Sequence, residues 1–312
     1  MDMMMALRAH TRGGPEQLVY EQAPVPVPQP GEALVAVHAA AITFAELTWD
    51  LSWTTLDGRD RTPVIPSHEM SGTVAALGAG TAGVAPGDEV YGLIAFDRDG
   101  AAAEYVSMPA AELTPRPRAV SHQAAAALPL AALTAWQALV DHAALKAGER
   151  VLVHGGAGGV GVYAVQLAAV LGGQVTATGS ERDADFVASL GAGKFLSAEA
   201  GPFEDAISRV DVVIDTVGGA MTERSYTVMR PGGRLVTLGA PPAPEQARAH
   251  QVHAMFFVVA PDPRELAQLA GLVDQGRLRP VVSQTFPLSE GRQAFESGGH
   301  PRPPGKTVLA VR

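Results

Sequence analysis

Short apolar stretches separated by proline and glycine turns fill the chain up to about residue 120. The strands predicted from this pattern cover residues 34–40, 71–77, 89–93 and 102–106. Short strands at such regular spacing are typical of a β-barrel. We therefore predict that residues 1–120 form the first part of a β-barrel domain.

The pattern changes at about Ser121, where alanine-rich helical stretches cover residues 121–128 and 133–144. From residue 150 onward, apolar strands alternate with amphipathic or apolar helices. The predicted strands are residues 151–154, 174–178, 210–215 and 233–238, and the predicted helices are residues 160–171, 183–190 and 221–229. Near-continuous apolar strands between helices indicate a parallel sheet covered on both faces. Residues 121–258 are therefore predicted to form a doubly wound α/β domain.

A proline-rich stretch at residues 241–244 interrupts this alternation. An apolar strand (255–259), a helix (263–275) and a final strand (307–311) are predicted after it. We expect residues 259–312 to return to the first domain. An apolar strand at a sheet edge tends to pair with another strand, so residues 255–259 also predict a homodimer.

Composition excludes several classes of protein. The net charge of −9, without any cluster of Lys and Arg, argues against a nucleic-acid partner. The chain has no cysteine, which excludes disulfides, thiolate nucleophiles and Cys-based metal sites. The first residues do not resemble a secretory signal, and no apolar stretch is long enough to span a membrane. We expect a cytoplasmic protein with no membrane partner.

The densest signal is the sequence VLVHGGAGGVG at residues 151–161. A predicted strand runs directly into a glycine-rich turn, and a helix follows at once. Glycines let the backbone approach a pyrophosphate, and the helix N-terminus offers N–H groups to its charge. The sequence therefore predicts dinucleotide binding, and the alternative is a turn that only packs the helix on the sheet. The candidate binding residues in this turn are Gly155, Gly158, Gly159, Val160 and Gly161.

The end of the second strand of this domain bears on the choice between NAD and NADP. An acidic residue there would bind the ribose 2′-hydroxyl and repel a 2′-phosphate. This chain has the neutral Thr178, followed by Ser180, Glu181 and Arg182. Ser180 can donate a hydrogen bond and Arg182 can pair with phosphate, so we predict NADPH. The alternative for Arg182 is a solvated residue in the first turn of a helix.

Seven further segments extend this pattern over the chain, and an ordered set of this kind is specific. They are PQPGEALVAVHAAAIT (28–43), PSHEMSGTVAALG (66–78), PGDEVYGL (86–93), AAALPLAALTAWQAL (125–139), DVVIDTVGG (211–219), RPGGRLVTLG (230–239) and PGKTVLAV (304–311). With them the chain resembles the medium-chain dehydrogenase/reductase superfamily, in particular its zinc-free quinone oxidoreductase (zeta-crystallin-like) branch. The resemblance implies a Rossmann domain inserted into a GroES-like catalytic domain. It also implies a homodimer joined through the edges of the Rossmann sheets.

Zinc-dependent members of this superfamily carry a Cys near the position of Thr43, a His-Glu pair, and a Cys near Leu130. Only the pair His68-Glu69 is present here. One histidine cannot form a catalytic site with three protein ligands, so no metal is expected. His68 is then either a hydrogen-bonded structural residue or a donor to the substrate.

The resemblance assigns further residues to the cofactor. Thr134 matches a threonine close to the nicotinamide, and the segments at Leu238, Gly239 and Phe257 resemble those that hold the carboxamide. Lys306 either reaches the nucleotide or is a surface lysine.

The acceptor side of the site is predicted with less support from motifs. Thr43 takes the place of an Asn or Asp near the nicotinamide and substrate. Trp49 and Trp53, with Phe44 and Tyr91, would form an aromatic wall on which a flat acceptor could stack. The alternative is that the tryptophans pack their own loop. Enoyl reductases of the polyketide type carry a Tyr where this chain has Phe44, so that proton donor is absent.

These observations support three hypotheses about function. The first is an NADPH-dependent reductase of a quinone or an α,β-unsaturated carbonyl. The second is an enoyl-thioester or tailoring ene-reductase of a biosynthetic pathway. The third is a catalytically weak NADPH-binding protein. A fold gives a reaction class but not a substrate, so the sequence leaves the acceptor open.

Overall fold

The computed structural model of the chain describes residues 2–312. The strands are β1 Met3–Ala9, β2 Leu18–Pro24, β3 Glu32–Ala41, β4 Glu69–Leu77, β5 Glu89–Leu93, β6 Tyr105–Pro109, β7 Thr114–Pro115, β8 Arg150–His154, β9 Gln174–Gly179, β10 Lys194–Ser197, β11 Val210–Asp215, β12 Met229–Thr237, β13 His253–Phe256, β14 Val282–Pro287 and β15 Lys306–Ala310. The α-helices are α1 His122–Ala126, α2 Pro129–Gln137, α3 Gly161–Val170, α4 Ala184–Ser189, α5 Ala220–Ser225, α6 Pro244–Ala249, α7 Pro263–Asp274 and α8 Gly291–Glu296.

The chain divides into two compact units. Unit 1 contains the chain up to Leu130, together with Ala260–Gly276 and Pro280–Arg312. Unit 2 contains Ala131–Val259 and the short segment Arg277–Arg279. Unit 1 is thus assembled from both ends of the sequence, whereas unit 2 is almost continuous.

The first boundary lies ten residues later than the change of pattern at residue 120 suggests, because α1 packs on unit 1. Ala126 and Ala127 form a small apolar cluster with Ala39, Ala41 and Val308, and their small side chains allow close approach to the strands. An alanine-rich helical pattern in the sequence does not indicate which of the two sheets the helix packs against.

Unit 1 is built on a seven-stranded sheet with the order β14-β15-β3-β4-β5-β7, and β6 also pairs with β3. The central strand β3 pairs antiparallel with β4 over its whole length. Its last residues pair on the other side with β15, where Ala41 lies opposite Val308. Ala41 also lies opposite Glu69 of β4. The register therefore brings the start of β4 and the start of β15 to the same end of β3.

Unit 2 is a six-stranded sheet, parallel in every pair, with the order β10-β9-β8-β11-β12-β13. Counted from β8, this is the order 3-2-1-4-5-6 of a Rossmann fold, which confirms the predicted α/β class. Helix α3 is apolar, and its residues 161–168 are all buried. The order of strands reverses between β8 and β11, and parallel sheets bind ligands at the carboxyl ends of strands beside such a reversal.

Several elements differ from the predictions. The β1–β2 hairpin and the short strand β10 carry no clear alternation and were not predicted. The helix predicted over residues 133–144 begins earlier, at Pro129, and continues as a π-helix over Ala138–His142. Proline is well tolerated in a first turn because the N–H it lacks would have no helical partner. Within the described range, none of the helices is both long enough and apolar enough to span a bilayer.

Candidate functional site

The glycine-rich turn after β8 is shaped so that its glycines cannot be replaced freely. Gly155 has a φ of 71°, in the left-handed region that favours glycine. A Cβ on Gly161 would lie 1.9 Å from the carbonyl oxygen of Gly155, which real contacts never allow. The N–H of Gly158 donates to the same oxygen at 2.9 Å, so the turn folds tightly on itself. Gly158 and Gly161 therefore approach only the backbone of the turn, whereas Gly155 packs against the side chain of Thr216.

The turn leads into the N-terminus of α3. Val160 at the N-cap offers no side-chain acceptor, and two N–H groups of the first turn are already bonded to backbone: Val162 donates to the Gly158 carbonyl at 3.1 Å and Tyr163 to the Val160 carbonyl at 3.0 Å. Gly159 precedes it, so no large side chain stands in front of the helix end. The positive end of the helix dipole therefore lies at the glycine-rich turn, where negative charge is favourable.

A buried network of three side chains fixes the strand ends around the turn. His154, the last residue of β8, is fully buried, and its two ring nitrogens contact the hydroxyls of Thr178 at 3.0 Å and Ser225 at 2.9 Å. Burial lowers the pKa of His154 to about 4, so the ring is neutral at neutral pH. Sequence reasoning missed His154 because a histidine in a buried strand has no distinguishing pattern.

The residues expected to discriminate a 2′-phosphate divide into two groups. Thr178 is buried with its hydroxyl turned to His154, so it supports the turn rather than facing a ligand. Ser180 is half-buried, and 54% of the Arg182 side chain is exposed. The neighbouring Glu181 is exposed, and its N–H donates to Glu199 at 3.0 Å. The Arg182 guanidinium lies 3.7 Å from the Asp183 carboxylate, and contact of Ser180 and Arg182 with a 2′-phosphate stays a prediction.

The end of β11 is also held by a buried acid. Asp215 accepts hydrogen bonds from the N–H groups of Val217 and Gly218, each at 2.9 Å. The N–H of Leu238 donates to the Asp215 carbonyl at 3.0 Å. A Cβ on Gly239 would lie 3.2 Å from the Cα of Gly218, a tight contact. The two predicted carboxamide-binding positions after β12 are thus held against the loop that follows β11.

Two further predicted cofactor residues lie elsewhere in unit 2. Thr134 is buried in α2. Phe257 is half-buried after β13 and packs its ring on His142, with centroids 4.3 Å apart. Contact of Thr134 and Phe257 with a nicotinamide stays a prediction.

In unit 1, the predicted residues Thr43 and Lys306 meet in a buried charged cluster. The Lys306 side chain is 6% exposed, and its ammonium donates to Thr43 Oγ1 at 3.0 Å. It also forms an ion pair with Glu69, whose other oxygen accepts the N–H of Leu130 at 2.9 Å. Lys306 is therefore not a surface lysine, and that alternative is wrong. The strand register of β15, β3 and β4 creates this cluster.

A second carboxylate, Glu46, belongs to the same region and was missed from the sequence. Glu46 is 1% exposed; one oxygen accepts the N–H of Ser67 at 3.1 Å, and the other has no hydrogen-bond partner. Burial raises the pKa of Glu46 to about 8, although the Ser67 N–H and the charge of Lys306 act in the opposite direction. Glu46 is therefore largely protonated at neutral pH. The local sequence around Glu46 does not distinguish it from an exposed carboxylate in a loop, so its burial could not be predicted.

Two members of the predicted aromatic wall lie in the core. Tyr91 is fully buried, and its hydroxyl donates to the carbonyl of Leu266 at 2.5 Å. Trp53 is 3% exposed, and its indole N–H donates to the carbonyl of Leu47 at 2.9 Å. Each finds a backbone acceptor inside the fold, so neither ring is available to a ligand. The prediction of a wall containing Tyr91 and Trp53 is wrong.

The other aromatic candidates stay nearer the surface. Trp49 packs edge-on against Phe96 at 5.2 Å, and His68 packs against the same ring at 5.2 Å. His68 is buried, which together with the nearby charge of Arg61 lowers its pKa to about 3. His68 is thus neutral and buried, but its Nδ1 has no hydrogen-bond partner among the residues that the structure describes, so both roles considered for it stay predictions.

Phe44 supports a cation that was not predicted. The guanidinium of Arg302 stacks over the Phe44 ring at 4.3 Å. Partial burial lowers the pKa of Arg302 from its ordinary value. Phe44 also limits the space around Gly298, where a Cβ would lie 2.4 Å from the ring. A predicted stacking residue for the acceptor is thus engaged with an arginine.

Across residues 2–312, no three His, Asp or Glu side chains are grouped so that they could hold a metal ion. His68 and Glu69 are adjacent in sequence, but the Glu69 carboxylate forms an ion pair with Lys306.

Two family models match the chain. Residues 29–118 match the alcohol dehydrogenase GroES-like domain, and residues 190–309 match the zinc-binding dehydrogenase model. A probable zinc-binding oxidoreductase, mitochondrial, of Arthroderma benhamiae is 31% identical, over 94% of this chain and 93% of its own length. The NAD(P)H oxidoreductase RTN4IP1 of Homo sapiens is 30% identical, over 90% of this chain and 82% of its own length.

Other similarities are to a polyketide synthase and to solved reductases. The spectinabilin polyketide synthase system protein NorB of Streptomyces orinoci is 36% identical over 90% of this chain, which spans only 13% of NorB. The quinone oxidoreductase of Coxiella burnetii has a TM-score of 0.92 and 33% identity, with both chains covered completely. The CurK enoyl reductase has a TM-score of 0.87 and 27% identity, again over both complete chains.

Proposed function

Because this chain belongs to the medium-chain dehydrogenase/reductase superfamily, we propose that it is a zinc-independent, NADPH-dependent reductase of quinones or α,β-unsaturated carbonyls. The observation that carries the proposal is the glycine-rich turn. The tight approach of Gly161 to Gly155 leaves bare backbone at the end of a central parallel strand. Such an arrangement suits a dinucleotide pyrophosphate and few other ligands.

Unit 2 would hold the dinucleotide. The turn residues and the N-terminus of α3 would bind the pyrophosphate, and Leu238 and Gly239 would lie along the nicotinamide end. Bound nicotinamide supplies the hydride. The protein contributes orientation, which lowers the entropic barrier to the reaction.

The preference for NADPH rests on Ser180 and Arg182 at the end of β9. The strand ends without an acidic side chain that would bind a ribose 2′-hydroxyl. Arg182 is exposed enough to turn toward a 2′-phosphate. We expect Arg182→Ala to weaken NADPH binding about tenfold, or about 1.4 kcal/mol, with little effect on NADH.

Unit 1 would polarise the acceptor. Because Lys306 donates to Thr43 Oγ1, the hydroxyl hydrogen of Thr43 is left to donate to another oxygen. A carbonyl oxygen of the acceptor would take that hydrogen bond. The buried charge of Lys306 would then stabilise the negative charge that develops on that oxygen.

Zinc independence is part of the proposal because the ligand chemistry for zinc is missing. The chain has no cysteine, and Thr43 and Leu130 occupy the positions near which the zinc-dependent enzymes carry their cysteine ligands. The carboxylate of Glu69, beside His68, forms an ion pair with Lys306. A hydroxyl polarised by an ammonium would serve in place of a metal ion.

A second candidate is an enoyl-thioester reductase. It is favoured by the likeness to NorB and to the CurK enoyl reductase. Phe44 cannot donate a proton, so the second hydrogen would come from solvent under this hypothesis.

The test is a steady-state assay of the purified protein with NADPH and NADH. We expect turnover of quinones or enones with NADPH, an unchanged rate with a chelator, and a weaker response of the Arg182→Ala variant to NADPH. Turnover of pantetheine or CoA enoyl thioesters alone would support the second candidate. Tight NADPH binding without turnover of any acceptor would contradict both candidates and support a binding protein.

The exposed edge strand β13 still predicts a homodimer. Met255 and Val258 are 37% and 57% exposed at this edge of the six-stranded sheet. Pairing with a second copy would cover them. A cytoplasmic location likewise stays a prediction.

A further inference from the structure

Unit 1 buries two carboxylates and a single ammonium in one cluster. Glu46, Glu69 and Lys306 are each at most 5% exposed. If both acids were ionised, the cluster would carry a net negative charge away from water. Burying an unpaired charge is strongly unfavourable, so one of the two acids must hold a proton.

The contacts decide which acid that is. Glu69 Oε1 forms the ion pair with Lys306 and has no hydrogen bond besides it within residues 2–312, and the other oxygen accepts the Leu130 N–H, so the cation of the cluster lies at Glu69. In the described part of the chain, one Glu46 oxygen accepts the Ser67 N–H, the second oxygen has no hydrogen-bond partner, and no ion pair with a cation is formed by either. A neutral carboxylic acid needs less solvation than a carboxylate. The raised pKa of Glu46 agrees with this assignment.

The backbone holds Glu46 in place. Ser67 has a φ of 72°, which is unfavourable for a residue other than glycine and persists only where the surrounding structure enforces it. This conformation belongs to the residue whose N–H meets Glu46. Besides Lys306 and Glu69, the groups that act on Glu46 are the N–H of Ser67 and the backbone of Thr43.

We propose that Glu46 is a positioning residue that controls the Thr43–Lys306 contact through its proton. With the proton bound, Lys306 is paired with Glu69 alone and donates to Thr43. When the proton leaves, Lys306 gains a second carboxylate partner, is drawn away from Thr43, and the reductase loses activity. The inference rests on the proposed function in so far as Thr43 polarises the acceptor, but the change at Lys306 occurs in the free protein.

The first test is on the free protein, without cofactor or acceptor. Infrared difference spectra should show the carbonyl band of a protonated carboxylic acid, which titrates near the pKa of about 8 and is absent from Glu46→Gln. The NMR signal of the Lys306 side chain should shift with the same midpoint in the wild type and not in Glu46→Gln. A Lys306 signal that is equally insensitive to pH in both proteins would overturn the proposal, whether or not the protein turns over any acceptor.

The second test is the pH profile of kcat/KM. The wild-type value should fall about tenfold per pH unit above that midpoint, as expected for loss of a single proton. Glu46→Gln should remove the alkaline fall, since the amide has no proton to lose and its oxygen can still accept the Ser67 N–H. A folded Glu46→Gln protein with the wild-type alkaline fall, or with no activity at any pH, would contradict the proposal.

The matched control is Glu112→Gln. Glu112 is a carboxyl of the same unit whose pKa is raised by burial and which also has an unpartnered oxygen, but Lys306 is not among the charges that act on it. This substitution should leave both the Lys306 signal and the alkaline fall unchanged. An equal effect at Glu112 would mean that the response is a general one of buried acids, which would also contradict the proposal.

Unfolding measurements add a check on the sign. The folded protein holds the Glu46 proton up to a pKa of about 8, whereas the unfolded chain loses it near the ordinary value of 4.5. The folded state therefore binds more protons between these values, and stability from this group falls as pH rises through that window. Glu46→Gln should remove the fall and be more stable than the wild type at alkaline pH. The same slope in both proteins would contradict a protonated Glu46.

Discussion

The candidate sites of the two units differ in the groups that form them. In unit 2 the glycine turn offers backbone N–H groups, and its shape depends on the absence of side chains at Gly155 and Gly161. In unit 1 the cluster around Thr43 consists of buried charges on side chains, held by a single ion pair. The turn depends on its backbone geometry and contains no charged side chain. The cluster depends instead on the pairing of buried charges.

This difference determines which kind of substitution should disrupt each candidate site. Adding atoms damages the turn because its space is filled by its own backbone. Removing atoms damages the cluster because a buried charge then loses its partner. The two kinds of damage differ in their effect on folding and on ligand affinity, so substitutions can separate them.

The largest effect is expected from Lys306→Met. It leaves Glu69 buried without its cation, which should cost about 3–5 kcal/mol of unfolding free energy. Urea unfolding of the single variant and of the double variant Glu69→Gln/Lys306→Met measures this cost. The double variant should recover much of the loss, because the unpaired charge is gone.

The control for this prediction is Lys146→Met, at an exposed lysine, which should change stability by no more than about 0.5 kcal/mol. If Lys306→Met cost as little as this control, the cluster would not be a charge-built site and the comparison between the units would fail.

The next effect in size is expected from Gly161→Ala. The added Cβ must push the Gly155 carbonyl out of place, so the dissociation constant for NADPH should rise at least about 100-fold, or about 2.7 kcal/mol. Fluorescence titration with NADPH measures it. Gly271→Ala is the control, because a Cβ on that helical glycine meets nothing within 4 Å and should stabilise α7 slightly. Unchanged NADPH affinity in Gly161→Ala would remove the main support for the proposed function.

A smaller effect is expected from Thr178→Val. This substitution tests whether side chains also support the glycine-rich turn of unit 2. It leaves a ring nitrogen of His154 without its partner, at a cost of about 1–2 kcal/mol of unfolding free energy. NADPH affinity should fall only a few-fold, because the Thr178 carbonyl still accepts the Gly156 N–H. Thr176→Val, two residues earlier on the same strand face, is the control for loss of a hydroxyl. Equal effects of the two substitutions would show that the His154 network does not support the turn.

The turn could be predicted from the sequence because everything that defines it is local. Strand, glycines and helix occupy consecutive residues, and the glycine spacing has one main structural reason. The parallel sheet was predictable for the same reason, since each buried strand is a continuous apolar run. The short strand β10 was missed because it is only half-buried.

The cluster in unit 1 could be predicted only in part. The resemblance to a known family pointed to Thr43 and Lys306, but their contact depends on the register that sets Ala41 opposite both Glu69 and Val308. No local pattern encodes that register, so the burial of Glu46 was not foreseen. The aromatic wall failed for a related reason: Tyr91 finds the carbonyl of Leu266, a residue 175 positions away, inside the fold.

The pairing of β15 with β3 also has a consequence for the order of events during synthesis. Thr43 and Lys306 are 263 residues apart, and all of unit 2 is translated between them. A nascent chain can therefore complete the Rossmann sheet while the end of β3, at residues 39–41, still lacks its neighbour β15. Contacts of such long sequence separation form slowly, and an unpaired strand exposed meanwhile favours aggregation. Lys306 is thus translated after Thr43 and Glu69, and the charged cluster forms only once β15 has been synthesised.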